Sequence, residues 1–282
     1  MPVTFGVEEE LLVVGSRGRP IAAGDEVVRN TRELIAEDAG VLPETAVEHE
    51  FKREQAEIGS LPCTTTDELT RQLVDLRLVA SAGAAGSGAA IAAIATSPLK
   101  VRPTATDDDR YLRMSQEFGL LSRQQLTCGQ HVHVQIGSRD EGAGVIDRLS
   151  GWLPTLLALS ANSPFWQGQD SGYASFRTVT WGLWPTAGPS GPFGDVAGYD
   201  AAVADLIRSG AALDEGMIYF DARLSVRFPT VEIRVADVCT EVADAVLIAA
   251  LCRGMVLTAA RRRRRGDRPT DWPAPWQRAA TW

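Results

Sequence analysis

The run Gly6-Val7-Glu8-Glu9-Glu10-Leu11-Leu12 is the stretch that most limits what this chain can fold into. Val3, Phe5, Val13 and Val14 flank it, so residues 3–14 read as a strand. Three carboxylates inside an apolar strand are costly unless something cationic pairs with them. Strand side chains alternate faces, so Glu8 and Glu10 point the same way, close together. Two like charges at that range repel, and one pKa rises unless a cation sits between them. A hard divalent ion with oxygen ligands, such as Mg²⁺, relieves the repulsion; an exposed polar face on an edge strand is the plainer alternative. Later segments bring further carboxylates and a histidine on strands of their own, which favours the ion.

Helical spacing marks Asp25–Glu37. Thr45–Ile58 reads as extended, with Glu48, Glu50, Lys52, Arg53, Glu54, Gln55 and Glu57 set among the apolar anchors Val47, Phe51 and Ile58. Glu50 and Glu57 differ in parity, so sharing a face calls for a bulge between them. Thr65 and Glu68 form a capping-box pattern that opens a helix running into the small residues Ser81–Gly88, which implies close helix packing. Ala89–Ala95 reads as a buried strand and Asp107–Leu121 as a helix. Thr127–Ile136 is a strand with His131, His133 and Gln135 on one face. Asp140–Leu159 is a helix broken near Pro154, and Tyr199–Ser209 a short helix. Ile218–Ser225 carries Asp221 and Arg223 on one face, and Thr230–Ala236 carries Glu232 and Arg234, with a tight turn at Phe228-Pro229 between the two strands. A last helix spans Glu241–Arg264, and the tail Asp271–Trp282 has three tryptophans that imply docking. Asn162–Pro192 is long and irregular but rich in aromatics, which marks an ordered, functional loop rather than disorder. Mixed elements without βαβ alternation predict an α+β fold around an antiparallel sheet, as a single domain over 1–282.

With 282 residues and 45% hydrophobic composition, the chain can bury a sizeable core. Its net charge of −8 argues against non-specific nucleic-acid binding. The four cysteines are scattered without a CxxC pair, and the N-terminus runs straight into a strand, so a cytoplasmic protein with reduced thiols is expected. The apolar windows Ala82–Ala95 and Val242–Ala260 are Ala/Gly-rich or interrupted by Asp244 and Arg253, so no membrane span is expected. A homo-oligomer is compatible with all of this.

The candidate site residues are Glu8, Glu10, Glu50, Glu57, His131 and Glu232, with Arg223 and Arg234 beside them. Carboxylates with one imidazole suit Mg²⁺ or Mn²⁺. Arginines added to such a set point to a phosphate-bearing substrate. No Walker A lysine motif or kinase-type GxGxxG is present. A zinc site on His131-Val132-His133 is disfavoured: the only other histidine is His49, and Cys128/His131/His133 lacks a fourth ligand. Taken one at a time, each of these residues is as readily a hydrogen-bonded or solvated structural group.

Six motifs recur in order: Gly6-Val-Glu-Glu-Glu, Cys128-Gly-Gln-His-Val-His-Val, Asn162-Ser-Pro-Phe-Trp-Gln-Gly, Gly172-Tyr-Ala-Ser-Phe-Arg, Trp184-Pro-Thr-Ala-Gly-Pro and Pro229-Thr-Val-Glu-Ile-Arg-Val-Ala-Asp-Val-Cys. Together they resemble the bacterial carboxylate–amine ligases of the glutamate–cysteine ligase type 2 group, over residues 3 to 260. The resemblance implies a glutamine-synthetase-like fold: a curved antiparallel β-sheet funnel with helices packed on its convex side. It implies an ATP-dependent reaction in which the γ-carboxylate of glutamate is phosphorylated and the amine of cysteine, or a related amine, attacks the acyl phosphate. By the same resemblance, Glu8 and Glu10 match one metal-binding acidic pair and Glu50 and Glu57 a second, with His131 and Glu232 as further metal ligands. Glu232, Arg234 and Arg223 would act at the reacting centre. Arg223, Arg234 and Arg177 would bind nucleotide, with Mg²⁺ (or Mn²⁺) and ATP as cofactors. The long loop would line the funnel mouth and close over the acyl phosphate. The family generally continues past a segment like Trp276-Gln-Arg-Ala-Ala with another helical stretch, expected here to be absent. Two alternatives remain at this point: a catalytically weak relative that binds nucleotide or an amino acid, and a phosphotransferase on the related guanidino-kinase fold.

Overall fold

The computed structural model describes residues 2–37, 42–269 and 272–282. Asp271, the first residue of the expected docking tail, lies outside them. In chain order the elements begin β1 (Phe5–Val14), α1 (Gly24–Glu37), β2 (Val47–His49), β3 (Gln55–Gly59), α2 (Thr66–Gly86) and β4 (Ala90–Ala92). Next come α3 (Asp109–Glu117), α4 (Gly119–Gln124), β5 (Gly129–Gln135), α5 (Arg139–Leu149) and α6 (Leu153–Ser160). The long loop holds β6 (Phe165–Trp166), β7 (Gln169–Asp170) and α7 (Phe176–Trp181). The chain ends with α8 (Val196–Arg208), β8 (Ala222–Leu224), β9 (Thr230–Asp237), α9 (Val242–Arg264) and α10 (Ala274–Ala280).

Seven strands form one open antiparallel sheet in the order β2-β3-β1-β5-β9-β8, with β4 also paired to β1. Period-two alternation decides which residues face which side. Val7, Leu11 and Val13 of β1 and Val132 and Val134 of β5 turn to one face, as do Val231 and Ile233 of β9. All are buried in the two apolar clusters of the core, together with residues from α2, α5, α6 and α9. Glu9 points to this helix side as well. It is fully buried, and Arg77 of α2 grips it with two bonds of 2.8 Å. That pairing accounts for the middle glutamate of the run. The opposite face receives Glu8, Glu10, His131, His133, Glu232 and Arg234.

The helices follow their local signals. Thr65 Oγ1 accepts from the Glu68 amide, and the Glu68 carboxylate accepts from the Thr65 amide, so the capping box closes both ways. Such a cap is worth ~1 kcal/mol. Gly83 lets α2 lie on α1, because a Cβ there would stand 2.2 Å from Thr31 Oγ1. By length and composition α9 could cross a membrane, a property the sequence reading discounted. In this fold it packs on α5 and α2, and mid-helix Arg253 donates to the Thr64 carbonyl at 2.7 Å.

Several expected boundaries are corrected. Thr45–Ile58 is a hairpin, with Glu48 opposite Glu57, so the parity of Glu50 and Glu57 on one strand, and the bulge invoked for it, do not arise. Ala89–Ala95 shortens to three partly exposed residues, because small side chains at the sheet's margin have little to pack on. Asp107–Leu121 breaks at Gly119, whose φ of +53° stops the helix. Ser150–Trp152 forms a 3₁₀ turn, so Pro154 starts a helix where its missing N–H costs nothing. The strand before Arg223 begins only at Ala222. Of the tail's tryptophans, Trp282 packs edge-on against Tyr173 at 5.2 Å, whereas Trp276 is exposed.

Candidate active site

The site is assembled by cross-strand register. Glu8 pairs with His131 and Glu10 with Glu57, and Glu232 lies between His133 and Arg223. A register shift in the β5–β9 pair between Gln130 and Val132 lets His131 approach both Glu232 and Arg234. His131 Nδ1 lies 3.6 Å from Glu8 Oε2 and 4.0 Å from Glu232 Oε1, and its Nε2 lies 3.8 Å from Glu10 Oε1. His133 Nε2 is 3.2 Å from Glu8 Oε2, while its Nδ1 meets Thr230 Oγ1 at 2.9 Å. Two groups of ligand atoms result: Glu8, His131 and Glu232, and Glu10, Glu57 and His131, each within 4.8 Å of one another. His131 belongs to both, and its buried Nε2 has no hydrogen-bond partner among the described residues. Oxygen-rich donors around a shared imidazole, with an unmet ring nitrogen, fit a hard divalent cation.

The electrostatics divide the carboxylates. Burial alone would push Glu8 up, but the two imidazoles beside it, His131 and His133, hold it well below the usual range. Burial likewise opposes ionisation of Glu232, and Arg234 and Arg223 overcome it and hold it far down. Burial and the neighbouring Glu50 push Glu10 up to about 7. Burial, then Glu8, Glu50 and Glu10, push Glu57 well above the carboxylate range, and burial raises Glu50. Burial and Arg234 lower His131 to about 4, which keeps it a neutral ligand. Carboxylates that hold protons for want of positive charge are where a cation binds with proton release.

Five of the six expected metal residues converge in this way. Glu50, in the turn between β2 and β3, is close enough to raise Glu10 but stands outside both ligand groups. Arg223 forks onto Glu232 with bonds of 2.7 and 3.1 Å. Arg234 bonds the same carboxylate, has a buried Nε without a partner among the described residues, and stacks near Trp181 and Tyr219 at 5.9 and 6.0 Å. Arg177, on α7, is buried and donates to the backbone carbonyls of Arg234 and Val235, and its buried Nε has no partner among the described residues. It therefore braces β9 and lends charge to Glu10. Gly129 makes room for it, since a Cβ there would sit 2.2 Å from Arg177 Nη2.

Two groups escaped the sequence reading. Asp237 is fully buried and ties the long loop to β9, accepting from Ser163 Oγ at 2.7 Å, Ser175 Oγ at 2.9 Å and the Asn162 amide at 2.9 Å. It follows directly on the strand Thr230–Ala236 read from the sequence and closes β9 in the structure, but nothing in the sequence named its partners. Asp221 was placed beside Arg223 on one face without a role. Two cavities adjoin the cluster. One of about 300 Å³ opens beside Glu8, Glu57 and His133, with Phe228 in its wall. The other, of about 460 Å³, lies against Arg177, Arg234, Trp181, Tyr219 and Asp221.

The sequence model of the glutamate-cysteine ligase family 2 matches residues 4–281. The chain belongs to this family of ligases. Among its relatives, "Putative glutamate--cysteine ligase 2-2" of Frankia alni is 50% identical over 286 residues, covering 99% of this chain and 75% of the relative. "Putative glutamate--cysteine ligase 2-1" of Paenarthrobacter aurescens is 48% identical, covering 99% and 73%. This family member thus spans about three quarters of their length. Two solved structures share its fold at low identity. The bifunctional glutathione synthetase from Pasteurella multocida aligns with a TM-score of 0.70 at 17% identity, over 99% of this chain and 41% of that one. The glutamate–cysteine ligase from Francisella tularensis, solved with AMP, aligns at 0.67 and 14%, over 100% and 70%. The α+β architecture read from the sequence, an open antiparallel sheet with helices, is therefore the fold that these two solved structures share.

Proposed function

We propose that this chain is an ATP-dependent carboxylate–amine ligase that joins glutamate to cysteine, or to a related amine, through an acyl phosphate. The observation that carries this reading is the pair of ligand groups sharing His131, with Arg234 directly beside them. Glu8, His131 and Glu232 would hold one Mg²⁺ or Mn²⁺, and Glu10 and Glu57 a second, with Glu50 adding negative field. Mg·ATP, when bound, supplies the phosphoryl group that activates the donor carboxylate. The cavity beside Glu8 and His133, with its apolar wall, suits the nucleotide. The cavity beside Arg234 and Arg177 suits the amino-acid substrates.

Within this reading the chain's own residues do four things. Arg234 lies where negative charge grows on the transferring phosphoryl oxygens, and its Nε is free to donate. Arg223 holds Glu232 in one orientation, so the carboxylate serves as a fixed ligand. His131 stays neutral and can offer a nitrogen to a metal without first losing a proton. Trp181 and Tyr219 keep water from the guanidinium.

The test is phosphate release from Mg·ATP across a matrix of carboxylic acids and amines, with the amide product measured in parallel. Release that requires both partners and matches amide formation supports the ligase. Release with a guanidine and no carboxylate identifies a phosphotransferase, and ATP binding without turnover identifies a binding module.

A further inference from the structure

The cavity beside Arg234 has a wall that neither the ligand groups nor the phosphoryl chemistry uses. Part of it comes from α10, which begins 37 residues beyond the end of β9. Arg278 Nη2 donates to the Ala187 carbonyl at 3.3 Å. It also lies over Gly188, where a Cβ would stand 2.9 Å from the same nitrogen. Gly188 has φ of +107° and, through its carbonyl, accepts from the Asp221 amide at 2.9 Å. The Asp221 carbonyl in turn accepts from the Arg234 amide at 2.9 Å. Arg278, Asp221 and Arg234 therefore sit in sequence along one side of one cavity. The Asp221 carboxylate has no hydrogen-bond donor among the described residues, and the charges that face it are those of Arg278 and Arg177. Arg278 is exposed and forms no ion pair among the described residues, so its guanidinium keeps donors free.

The charges have a pattern. Arg234 and Arg278 stand apart with Asp221 between them in the chain of contacts. A ligand complementary to that order carries a carboxylate, an ammonium and a second carboxylate. Resting on the ligase reading above, we propose that Arg278 and Asp221 are specificity-determining residues for the donor substrate. Arg278 takes its α-carboxylate and Asp221 its α-ammonium, while its side-chain carboxylate meets Arg234. Burial pushes the Asp221 carboxyl up to about 7 against the pull of Arg278 and Arg177. α10 is then part of the substrate site, and the tail packs as it does, with Trp282 against Tyr173 of the long loop, to hold Arg278 over Gly188.

The experiment compares L-glutamate with two analogues, 4-aminobutyrate, which lacks the α-carboxylate, and glutarate, which lacks the ammonium. Binding is followed by calorimetry without ATP, and amide formation with Mg·ATP and amine. Wild type should favour glutamate over both. Arg278→Gln should weaken glutamate by about tenfold to a hundredfold, the scale of one charge-assisted bond, and leave 4-aminobutyrate unchanged. Arg278→Lys should recover part of the loss. Asp221→Asn should narrow the gap between glutamate and glutarate, and neither change should move the KM for ATP. Arg278 is exposed, so its variants fold, and far-ultraviolet circular dichroism checks Asp221→Asn. If amide forms but Arg278→Gln leaves the preference for glutamate over 4-aminobutyrate intact, the inference is overturned and the ligase reading stands. If glutamate binds in an Arg278-dependent way but no amide forms with any amine, the ligase reading fails and the assignment of the pocket stands. Failure of wild type to bind or use any of the three overturns both.

Discussion

Glu8 and His131 face each other across the β1–β5 pair, with Glu8 Oε2 3.6 Å from His131 Nδ1. The spacing is too long for a hydrogen bond and short enough for both atoms to ligate one ion. His131 is also the only residue common to the two ligand groups. Its loss should therefore harm both sites, the first by removing a ligand and the second by removing the neighbour 3.8 Å from Glu10 Oε1 that holds that carboxylate in place, whereas the loss of Glu8 should harm one. Mn²⁺ binding followed by electron paramagnetic resonance should show two ions in wild type. Glu8→Gln should weaken one of them by about tenfold or more, and His131→Ala should weaken both. Equal, single-site effects of the two substitutions would remove His131 from its shared position.

Arg234→Lys separates charge from shape. Lysine keeps the positive charge but loses the planar fork that can hold Glu232 and still present Nε to a phosphoryl oxygen. Turnover should fall by about tenfold to a hundredfold while nucleotide affinity changes little, because the contact strengthens as charge develops. An unchanged kcat would take Arg234 out of the reaction.

The acidic pattern on β1 was legible because its alternation is strict: Glu8 and Glu10 had to share a face. Glu232 and Arg234 could be placed on one face by the same rule. The assignment failed where connection, not alternation, set the geometry. Glu50 and Glu57 looked like members of one strand because the charged run between them has no glycine or proline to announce a turn, yet the chain folds back there. Arg177 lay in a motif and invited a ligand role, but its partners are two carbonyls of β9, and a backbone acceptor leaves no trace in sequence. Glu9 read as part of a charged strand, and its buried partner Arg77 lies 68 residues away.

That hidden pair gives a stability prediction. Glu9 is completely buried and Arg77 partly so, and Arg77 also donates to the carbonyls of Cys239 and Thr240 at 2.6 Å. Removing one partner leaves a buried charge uncompensated, at a cost of about 3–5 kcal/mol. Arg77→Ala should lower the urea midpoint accordingly, and Glu9→Gln with Arg77→Met together should cost less than Arg77→Ala alone. A double variant no better than the single one would mean that Arg77 acts through its carbonyl bonds instead.

Stability of the metal-free protein should fall as pH rises from 6.5 to 8. Glu10, raised to about 7, and Glu57, raised well above the carboxylate range, both hold protons in the folded state that the unfolded chain has released. Asp221, also raised to about 7, and His133, raised from 6.5, act in the same sense. A group with a raised folded pKa contributes stability below its unfolded pKa and loses it as pH climbs through the folded one. His131, lowered to about 4, has its opposite effect between 4 and 6.5, below this window. Urea unfolding in EDTA should show the decline, and saturating Mg²⁺ should reverse it, since the ion replaces the protons. A flat profile in EDTA would mean that Glu10 and Glu57 are ordinary carboxylates.

The long loop is pinned at its base, which sharpens the expectation that it shields the intermediate. Ser163 and Ser175 both donate to Asp237, and α7 follows directly with Arg177 and Trp181 against the reacting side of β9. Further out, Thr96 Oγ1 donates to the Phe165 carbonyl at 2.8 Å, and Gln167 bonds Val101 in both directions. The tip is a two-residue turn with φ positive at Gln167 and Gly168, a geometry that suits a tight hairpin. An acyl phosphate needs a dry wall more than it needs a swinging lid, and this loop has the bonds of a wall. Asp237→Ala removes the common acceptor of Ser163 and Ser175 without touching a proposed ligand or arginine side chain. It should loosen the base of the loop and raise ATP hydrolysis relative to amide product by about tenfold, while the sheet stays folded because β9 keeps its ladder to β5. Shortening the turn between Gly168 and Gly172 should act in the same direction but more weakly, since it leaves the base intact. If both variants keep ATP use and amide product in the wild-type ratio, the loop does not protect the intermediate, and its aromatics serve only to pack the tail.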